Sequence, residues 1–198
     1  IVMLRTFKYD AIGNVIEERL YGNLTGKCDK EIKHLDHDRF IVDGVDYSVK
    51  YNYYDDGPFN LKLSDVTSGG VVTKYFYLEG TSLPLKELVY DEGSIKERCF
   101  LRYDDDNLLL EKIADDGSSE NINNLSDVTE RRILRYQRKQ EGIGIGMPYI
   151  VEEFYLDIST QKEVLLNRKE RVYHVNGQVE EEAYFDRDLN HLYTLYYK

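Results

Sequence analysis

The chain has 198 residues, 41% of them hydrophobic and 32% charged, which is typical of a globular protein and excludes a disordered chain. Its formal net charge of −11 repels phosphate backbones, so we expect no nucleic-acid partner. No apolar run is long enough for a membrane-spanning helix, and we expect no membrane span. Tyrosine is abundant, with 18 Tyr and 7 Phe but no Trp, and this enrichment favours β-strands.

A turn motif begins near the start of the chain, in FKYDAIGNVIEERLYG (residues 7–22). It consists of an aromatic residue, a short polar or aromatic residue, two variable positions, and Gly or Asn. The polar side chain can accept a hydrogen bond from the amide two residues on, and Gly or Asn supplies a positive φ. The aromatic residue ends the strand and can cover a neighbouring hairpin. In chain order the copies are Tyr9, Asp10 and Gly13; Tyr53, Tyr54 and Gly57; Phe76, Tyr77 and Gly80; Val89, Tyr90 and Gly93, without the first aromatic; Tyr103, Asp104 and Asn107; Tyr173, His174 and Gly177; and Phe185 and Asp186, with Asn190 one position late.

The spacing of these turns predicts antiparallel hairpins. Gly80, Gly93 and Asn107 are 13 and 14 residues apart, which leaves strands of roughly 8 or 9 residues between turns. Asn176-Gly177 is the strongest short-range hairpin signal. Charged and apolar residues alternate loosely between the turns, so one face of the sheet is expected to be buried. The predicted strands are 95–103, 108–115, 128–136, 149–157, 167–175 and 178–185.

The motif lapses in places, and we predict loops near 22–46, 115–127 and 137–148. Within the first, residues 27–40 are polar and could form a loop or a strand. Residues 128–141 could form a helix capped by Ser126 or Asp127, but a strand is preferred because its neighbours are strands. We treat residues 1–198 as a single repeat segment and expect it to be a fragment of a longer chain.

Several clusters resemble binding sites. HLDHD supplies His34, Asp36, His37 and Asp38, which are metal-ligand types, but nothing nearby completes the set, so a solvated loop is preferred. Asp186, Asp188 and Asn190 imitate a calcium loop without its glycine and final acid, and a turn is the simpler interpretation. The best basic run, Arg131, Arg132, Arg135, Arg138 and Lys139, is interpreted as a solvated face.

Other motifs also lack the spacing that chemistry requires. Gly142, Gly144 and Gly146 do not match a phosphate-binding loop and predict an ordinary loop. Cys28 and Cys99 are too far apart for a redox pair or zinc site, and we expect buried thiols. We therefore assign no catalytic, cofactor-binding or metal-binding residue, and no cofactor.

The units YDAIGNVIEERLYG and YDDDNLLLEKIADDG, the hairpin VYHVNGQVEEEAYFD and the stretch DVTERRILRY...GMPYIVEEFYLD resemble the YD repeats of Rhs proteins, over nearly the whole chain. The resemblance implies an antiparallel meander that spirals into a hollow shell around a toxic C-terminal domain, as in Rhs polymorphic toxins and insecticidal toxin complexes. The family's self-cleavage segment is missing here. MORN-like repeats share such hairpins as YHVNGQVEEEAYF but have a more regular period.

The resemblance implies an all-β, non-enzymatic wall segment of such a shell, which encapsulates or presents a C-terminal effector. Expected partners are the rest of the shell, a C-terminal toxin domain and other copies joined edge to edge. The expected location is secreted or on a bacterial cell surface, with cytoplasmic storage before export. The alternative is an adhesion module whose exposed tyrosines bind carbohydrate or protein; a further rival is an enzyme assembled from distant acids. The residues assigned to structural turns are Tyr9, Asp10, Gly13, Tyr54, Gly57, Tyr77, Gly80, Gly93, Tyr103, Asp104, Asn107, Tyr173, Asn176, Gly177, Asp186 and Asn190.

Overall fold

The computed structural model describes residues 3–22, 33–36, 39–41, 47–53 and 60–197. Every regular element within them is a β-strand. The strands are β1 Met3–Tyr9, β2 Val15–Gly22, β3 Lys33–Asp36, β4 Arg39–Ile41, β5 Tyr47–Tyr53, β6 Leu61–Ser68, β7 Val71–Tyr77, β8 Pro84–Asp91, β9 Ser94–Tyr103, β10 Leu109–Asp115, β11 Arg131–Arg138, β12 Pro148–Asp157, β13 Lys162–Tyr173, β14 Val179–Phe185 and β15 His191–Tyr196.

Thirteen of these strands form one antiparallel sheet, which follows the order of the chain except that β2 is followed by β5. The other two strands, β3 and β4, pair only with each other among the described residues. Hairpin therefore follows hairpin along the chain, and the predicted all-β antiparallel meander is confirmed. The described residues contain no helix with the length and apolarity needed to cross a membrane.

The chain divides into two compact units, residues 1–96 and 97–198. Among the described residues of the first unit, the buried apolar side chains are Val49 and Leu88. Carboxylates share the interior with them, since Glu17 and Glu18 are also buried on β2. Both are paired: Glu18 accepts from Arg5 at 2.7 Å, and Glu17 contacts Lys8 and Arg19. The first unit thus buries ion-paired carboxylates along with aliphatic side chains.

In the second unit the apolar core is built from several neighbouring strands. Its buried members include Cys99 on β9, Ile133 on β11 and Ile150 on β12. Ile133 lies directly opposite both Ile113 and Phe154 on the neighbouring strands. Residues paired in this way project to the same face of the sheet. Ile113, Ile133 and Phe154 therefore form a row on one face of the sheet, whereas Cys99, which pairs with Ala114, projects to the other face.

The strand bounds correct the sequence prediction at two places. Residues 128–130 belong to a loop and not to β11, because the backbone amides of Thr129 and Glu130 donate to the Asp116 carboxylate at 2.8 and 3.2 Å. His174 and Val175 belong to the turn that follows β13, since this strand ends at Tyr173. The strand also begins earlier than predicted, at Lys162. The helix considered for 128–141 is absent from that described segment, where β11 runs from Arg131 to Arg138.

The predicted loops lie close to the observed ones. Residues 116–130 connect β10 to β11, and residues 139–147 connect β11 to β12. The described parts of the predicted loop 22–46 include the short hairpin of β3 and β4, in which Lys33 pairs with Ile41. The polar composition of that stretch had left loop and strand open, and its described backbone is extended.

Candidate functional site: repeated loops and a buried ion-pair cluster

Four loops of the sheet share one five-residue geometry: residues 10–14, 104–108, 174–178 and 186–190. In each, the first residue donates its N–H to the carbonyl oxygen of the fifth, and the fourth donates to the carbonyl of the first. In the first loop these distances are 2.9 Å from Asp10 to Asn14 and 3.3 Å from Gly13 to Asp10. The residues that flank each loop are paired in the ladder: Tyr9 with Val15, Tyr103 with Leu109, Tyr173 with Val179 and Phe185 with His191.

An aspartate opens three of these loops and organises the backbone that follows. Oδ1 of Asp10 accepts hydrogen bonds from the amides of Ile12 and Asn14, at 3.0 and 2.8 Å. Asp104 accepts from Asp106 and Leu108 at 3.0 and 2.8 Å. Each carboxylate therefore satisfies two amides that the tight turn leaves unpaired.

Asp186 repeats the same arrangement, with the side chain of Asn190 added. The Asn190 Nδ2 donates to Oδ2 of Asp186 at 3.0 Å, as Asn14 does to Asp10 at 2.9 Å. This side-chain bond and the Asn190 amide lower the pKa of Asp186 below its ordinary value, because they stabilise the charged form. Asp186 and Asn190 are thus turn residues in the described structure.

The fourth position of each loop has a positive φ: +94° at Gly13, +62° at Asn107, +83° at Gly177 and +62° at Leu189. This corrects the prediction that Asn190 is a displaced form of the Gly or Asn position. Leu189 holds that position, and Asn190 corresponds to Asn14. The sequence signal that was missed is an Asp followed four residues later by Asn, as in Asp10 with Asn14 and Asp186 with Asn190.

The loop at His174 uses a different side chain. Asn176 Oδ1 accepts the Gln178 amide at 3.0 Å, and Asn176 Nδ2 donates to Gln178 Oε1 at 2.9 Å. Tyr173, the aromatic residue before it, is buried and donates its hydroxyl to the Pro148 carbonyl at 2.7 Å. Tyr173 therefore connects the end of β13 to the start of β12. Tyr103 is half-buried in the equivalent place, and burial raises the pKa of its hydroxyl.

The remaining predicted copies form other turns. Tyr77 is the last residue of β7, and Leu78 opens a longer loop by donating to the Leu83 carbonyl at 2.9 Å, with Gly80 at φ +73°. Tyr77 therefore takes the aromatic position that was predicted for Phe76. Gly93 forms a two-residue turn with Glu92, both at positive φ, as a hairpin of the mirror-image type requires.

The β6–β7 turn is not among the predicted turns, and one predicted copy lies outside the described residues. Gly69 and Gly70 close the β6–β7 hairpin at φ +58° and +90°, and the Gly-Gly dipeptide could have signalled it. Tyr54 and Gly57 lie outside the described residues, as do Cys28 and the side chains of the HLDHD cluster. Among the described residues no group of three or more His, Cys, Asp or Glu is placed to hold a metal ion. Cys99 is a buried thiol.

A second arrangement, not found from the sequence, is a buried ion-pair cluster made of Arg98, Asp115 and Arg131. The Asp115 side chain has no exposed surface, and neither has that of Arg98. Arg98 Nε donates to Oδ1 of Asp115, while Arg131 Nε donates to Oδ2 at 2.7 Å. One carboxylate thus lies between two guanidinium groups from β9 and β11.

The cluster also fixes the loop 116–130. The Arg98 guanidinium donates to the carbonyl oxygens of Ser119, Asn121 and Asn124, at 2.5, 2.8 and 2.7 Å. Arg131 Nη2 donates to the Ile122 carbonyl at 2.6 Å. Buried guanidinium donors are costly unless they are paired, and here loop carbonyls complete the pairing. A Cβ at Gly117 would lie 2.5 Å from Nη2 of Arg98, so glycine is required there by close approach.

The basic run on β11 is paired with acids and carbonyls. Arg135 donates from Nε to Glu111 and from Nη2 to Glu163, both at 2.8 Å. The bond to Glu163 contributes most to raising the pKa of Arg135 above its ordinary value. Arg138 donates to the carbonyls of Leu109 and Gly146, both at 2.7 Å, and so holds the glycine loop predicted from residues 142–146. The guanidinium groups of Arg135 and Arg138 therefore bind partners on neighbouring strands and loops of the same sheet.

Tyrosines gather on one face of the first unit. Tyr51, Ser64, Tyr75 and Glu87 form a row in which each residue lies opposite the next on β5, β6, β7 and β8. The Tyr77 hydroxyl lies 2.8 Å from that of Ser64 on the same face. Burial, followed by the nearby Glu18 and neighbouring tyrosines, raises the pKa of Tyr51. The face is aromatic and rich in hydroxyl groups.

Comparison with known proteins adds little to this description. No family model and no curated protein matches the chain. A solved porin-like protein from Bacteroides uniformis aligns over 96% of this chain and 87% of its own, at 11% sequence identity and a TM-score of 0.32. A likeness at that TM-score carries no argument about function.

Proposed function

We propose that the chain is a structural, non-enzymatic segment of an Rhs-type repeat protein, forming part of the wall of a β-shell that encloses or presents a C-terminal effector. The observation that supports this most directly is the five-residue loop repeated four times in an antiparallel meander, each copy after an aromatic residue. Its partners are the rest of the shell and the effector. Its location is outside a bacterial cell or on its surface, after storage in the cytoplasm.

Two further features fit a wall. Cross-strand ion pairs, such as Arg135 with Glu111 and Glu163, stiffen a sheet in which few of the described aliphatic side chains are buried. The Arg98 cluster holds the long loop 116–130 against its own strands. A wall needs a rigid sheet whose long connections stay ordered, and these contacts provide both.

The test is electron cryo-microscopy of the full-length protein that contains this sequence. We expect a hollow particle with these residues in its wall and the C-terminal polypeptide inside. Limited proteolysis supplies a matched control: Arg98→Met is expected to expose the C-terminal polypeptide to protease, whereas Arg102→Met is not, because Arg102 is 63% exposed. A full-length protein in which these residues form no part of a hollow β-shell would contradict the proposal.

The second candidate is an adhesion module, favoured by the tyrosine row of β5–β8. Binding of this chain to cell-surface glycans or proteins would then weaken when Tyr75→Phe removes a hydroxyl from that row. Tyr155→Phe, on β12, is the control and should leave binding unchanged. Equal binding by both variants and the parent chain would remove support for this candidate.

A further inference from the structure

A surface cavity of about 500 Å³ lies beside the His174 loop of the second unit. It is lined by His174, Asn176, Gln178, Val179, Glu180 and Tyr197. The volume is within the range of small-ligand sites. Tyr197 is held in place because its backbone N–H donates to the Glu180 carbonyl at 2.9 Å. That pairing also places the two side chains on the same face.

The polar groups of the cavity are held in defined orientations. Asn176 Oδ1 accepts the Gln178 amide at 3.0 Å, while its Nδ2 donates to Gln178 Oε1 at 2.9 Å. Because Asn176 Nδ2 holds the side-chain oxygen of Gln178, the orientation of Gln178 Nε2 is fixed as well. The Glu180 carboxylate differs from its neighbour Glu182, which accepts hydrogen bonds from Arg171 and Tyr184; no side-chain partner of Glu180 occurs among the described residues. Within the described part of the chain, the cavity thus combines a carboxylate that has no side-chain partner with oriented amides.

The charges select among ligand classes. Among the described residues no Lys or Arg lines the cavity, and the chain carries a net charge of −11, so phosphates and carboxylates are disfavoured. A simple cation would use Glu180 and the Tyr197 ring but would leave the amides of Asn176 and Gln178 without a role. A saccharide uses all of them: its hydroxyls both donate and accept, and its C–H face packs on an aromatic ring. Tyr197 is 51% exposed, which leaves its ring accessible.

We infer that this cavity binds a neutral saccharide unit, with Glu180 accepting hydroxyl donors, Gln178 donating to a hydroxyl oxygen and Tyr197 packing against the ring. The inference is independent of the shell proposal, because a wall segment requires no ligand. It differs from the adhesion candidate in its location, since that candidate rests on β5–β8.

The test is a titration followed by ¹H–¹⁵N NMR, with the methyl glycosides of glucose, galactose and mannose as probes. Tetramethylammonium chloride and sodium phosphate are the comparison ligands. We expect at least one glycoside to shift the amides of residues 174–180 and 197 with a dissociation constant on the order of 1–10 mM. Shifts with tetramethylammonium alone would replace the saccharide by a cation, and no shift at these residues with any probe would overturn the inference.

Substitutions distinguish glycoside binding in this cavity from binding elsewhere on the surface. Tyr197→Ala and Glu180→Gln are each expected to weaken glycoside binding about tenfold. The controls are the neighbours Tyr196→Ala and Glu181→Gln, which lie outside the cavity and should bind like the parent chain. Tyr197→Phe keeps the ring and should retain binding, which distinguishes ring packing from loss of fold. Equal binding by Tyr197→Ala and Tyr196→Ala would also overturn the inference.

Discussion

Aspartates order loops in two different ways in this chain. Asp104 opens a five-residue loop and accepts two amides from that same loop, at 3.0 and 2.8 Å. Asp115 precedes the longer loop 116–130 and accepts from Arg98 and Arg131, which lie 17 and 16 residues away. The first arrangement is local and partly exposed, and the second is buried. The difference teaches that a short loop is specified by its own residues, whereas the long loop depends on side chains from other strands.

The largest effect is expected at Arg98. Arg98→Met leaves Asp115 without one of its two cations and removes the guanidinium donor from three loop carbonyls, so the free energy of unfolding should fall by about 3–5 kcal/mol. Chemical denaturation measures the loss, and hydrogen exchange should show weaker protection in residues 117–128. The control is Arg102→Met on the same strand, whose exposed ion pair contributes about 0.5 kcal/mol. Equal losses would show that the buried cluster does not stabilise the loop.

Substitutions at the positive-φ position of the short loops are expected to lower or to raise the stability, depending on the residue introduced. Gly13→Val forces a β-branched residue into φ +94° and should destabilise the chain by about 2 kcal/mol, with lost amide protection in the β1–β2 hairpin. Leu189→Gly relieves the same strain at φ +62° and should stabilise by up to about 1 kcal/mol. Unchanged stability and protection in Gly13→Val would refute the turn assignment.

A smaller effect is expected from the aspartate that organises a short loop. Asp104→Ala removes the acceptor of the Asp106 and Leu108 amides and should lower the free energy of unfolding by about 1 kcal/mol. Asp105→Ala, one residue further on and exposed, is the matched control and should have little effect. If both variants unfold alike, the hydrogen bonds of Asp104 contribute nothing beyond surface charge.

The smallest effect concerns Asp157, at the exposed β12–β13 turn. Hydrogen bonds from Ser159 and Thr160 lower the pKa of Asp157 from 3.8 to about 2. Because the folded pKa lies below the unfolded one, this stabilisation is complete above about pH 4 and is lost as the pH falls towards 2. Carboxyl-detected NMR should show this pKa, and Ser159→Ala should raise it. Ser94→Ala is the control, and an unshifted pKa in Ser159→Ala would contradict the assigned cause.

Much of the candidate site could be read from local sequence. Asp10, Gly13, Asp104 and Asn107 lie within a few residues of the groups they contact, so turn chemistry identifies them without knowledge of the fold. The sequence analysis placed Asn190 where the structure has Leu189, because leucine gives no signal for a positive φ. Here the backbone hydrogen bonds of the loop outweigh the preference of the side chain, and only the structure shows it.

The sequence by itself determined the all-β meander, since aromatic and β-branched strands separated by glycine and asparagine turns leave few other arrangements. Only the tertiary structure decided which charged residues are buried. Arg98, Asp115 and Arg131 resemble any other charged strand residues in the sequence, and the strand register brings them together. Tyr197 and Glu180 likewise meet only because β14 pairs with the segment that follows β15. Turns are set by neighbours in the chain, whereas buried clusters and cavities are set by register, which involves residues far apart in sequence.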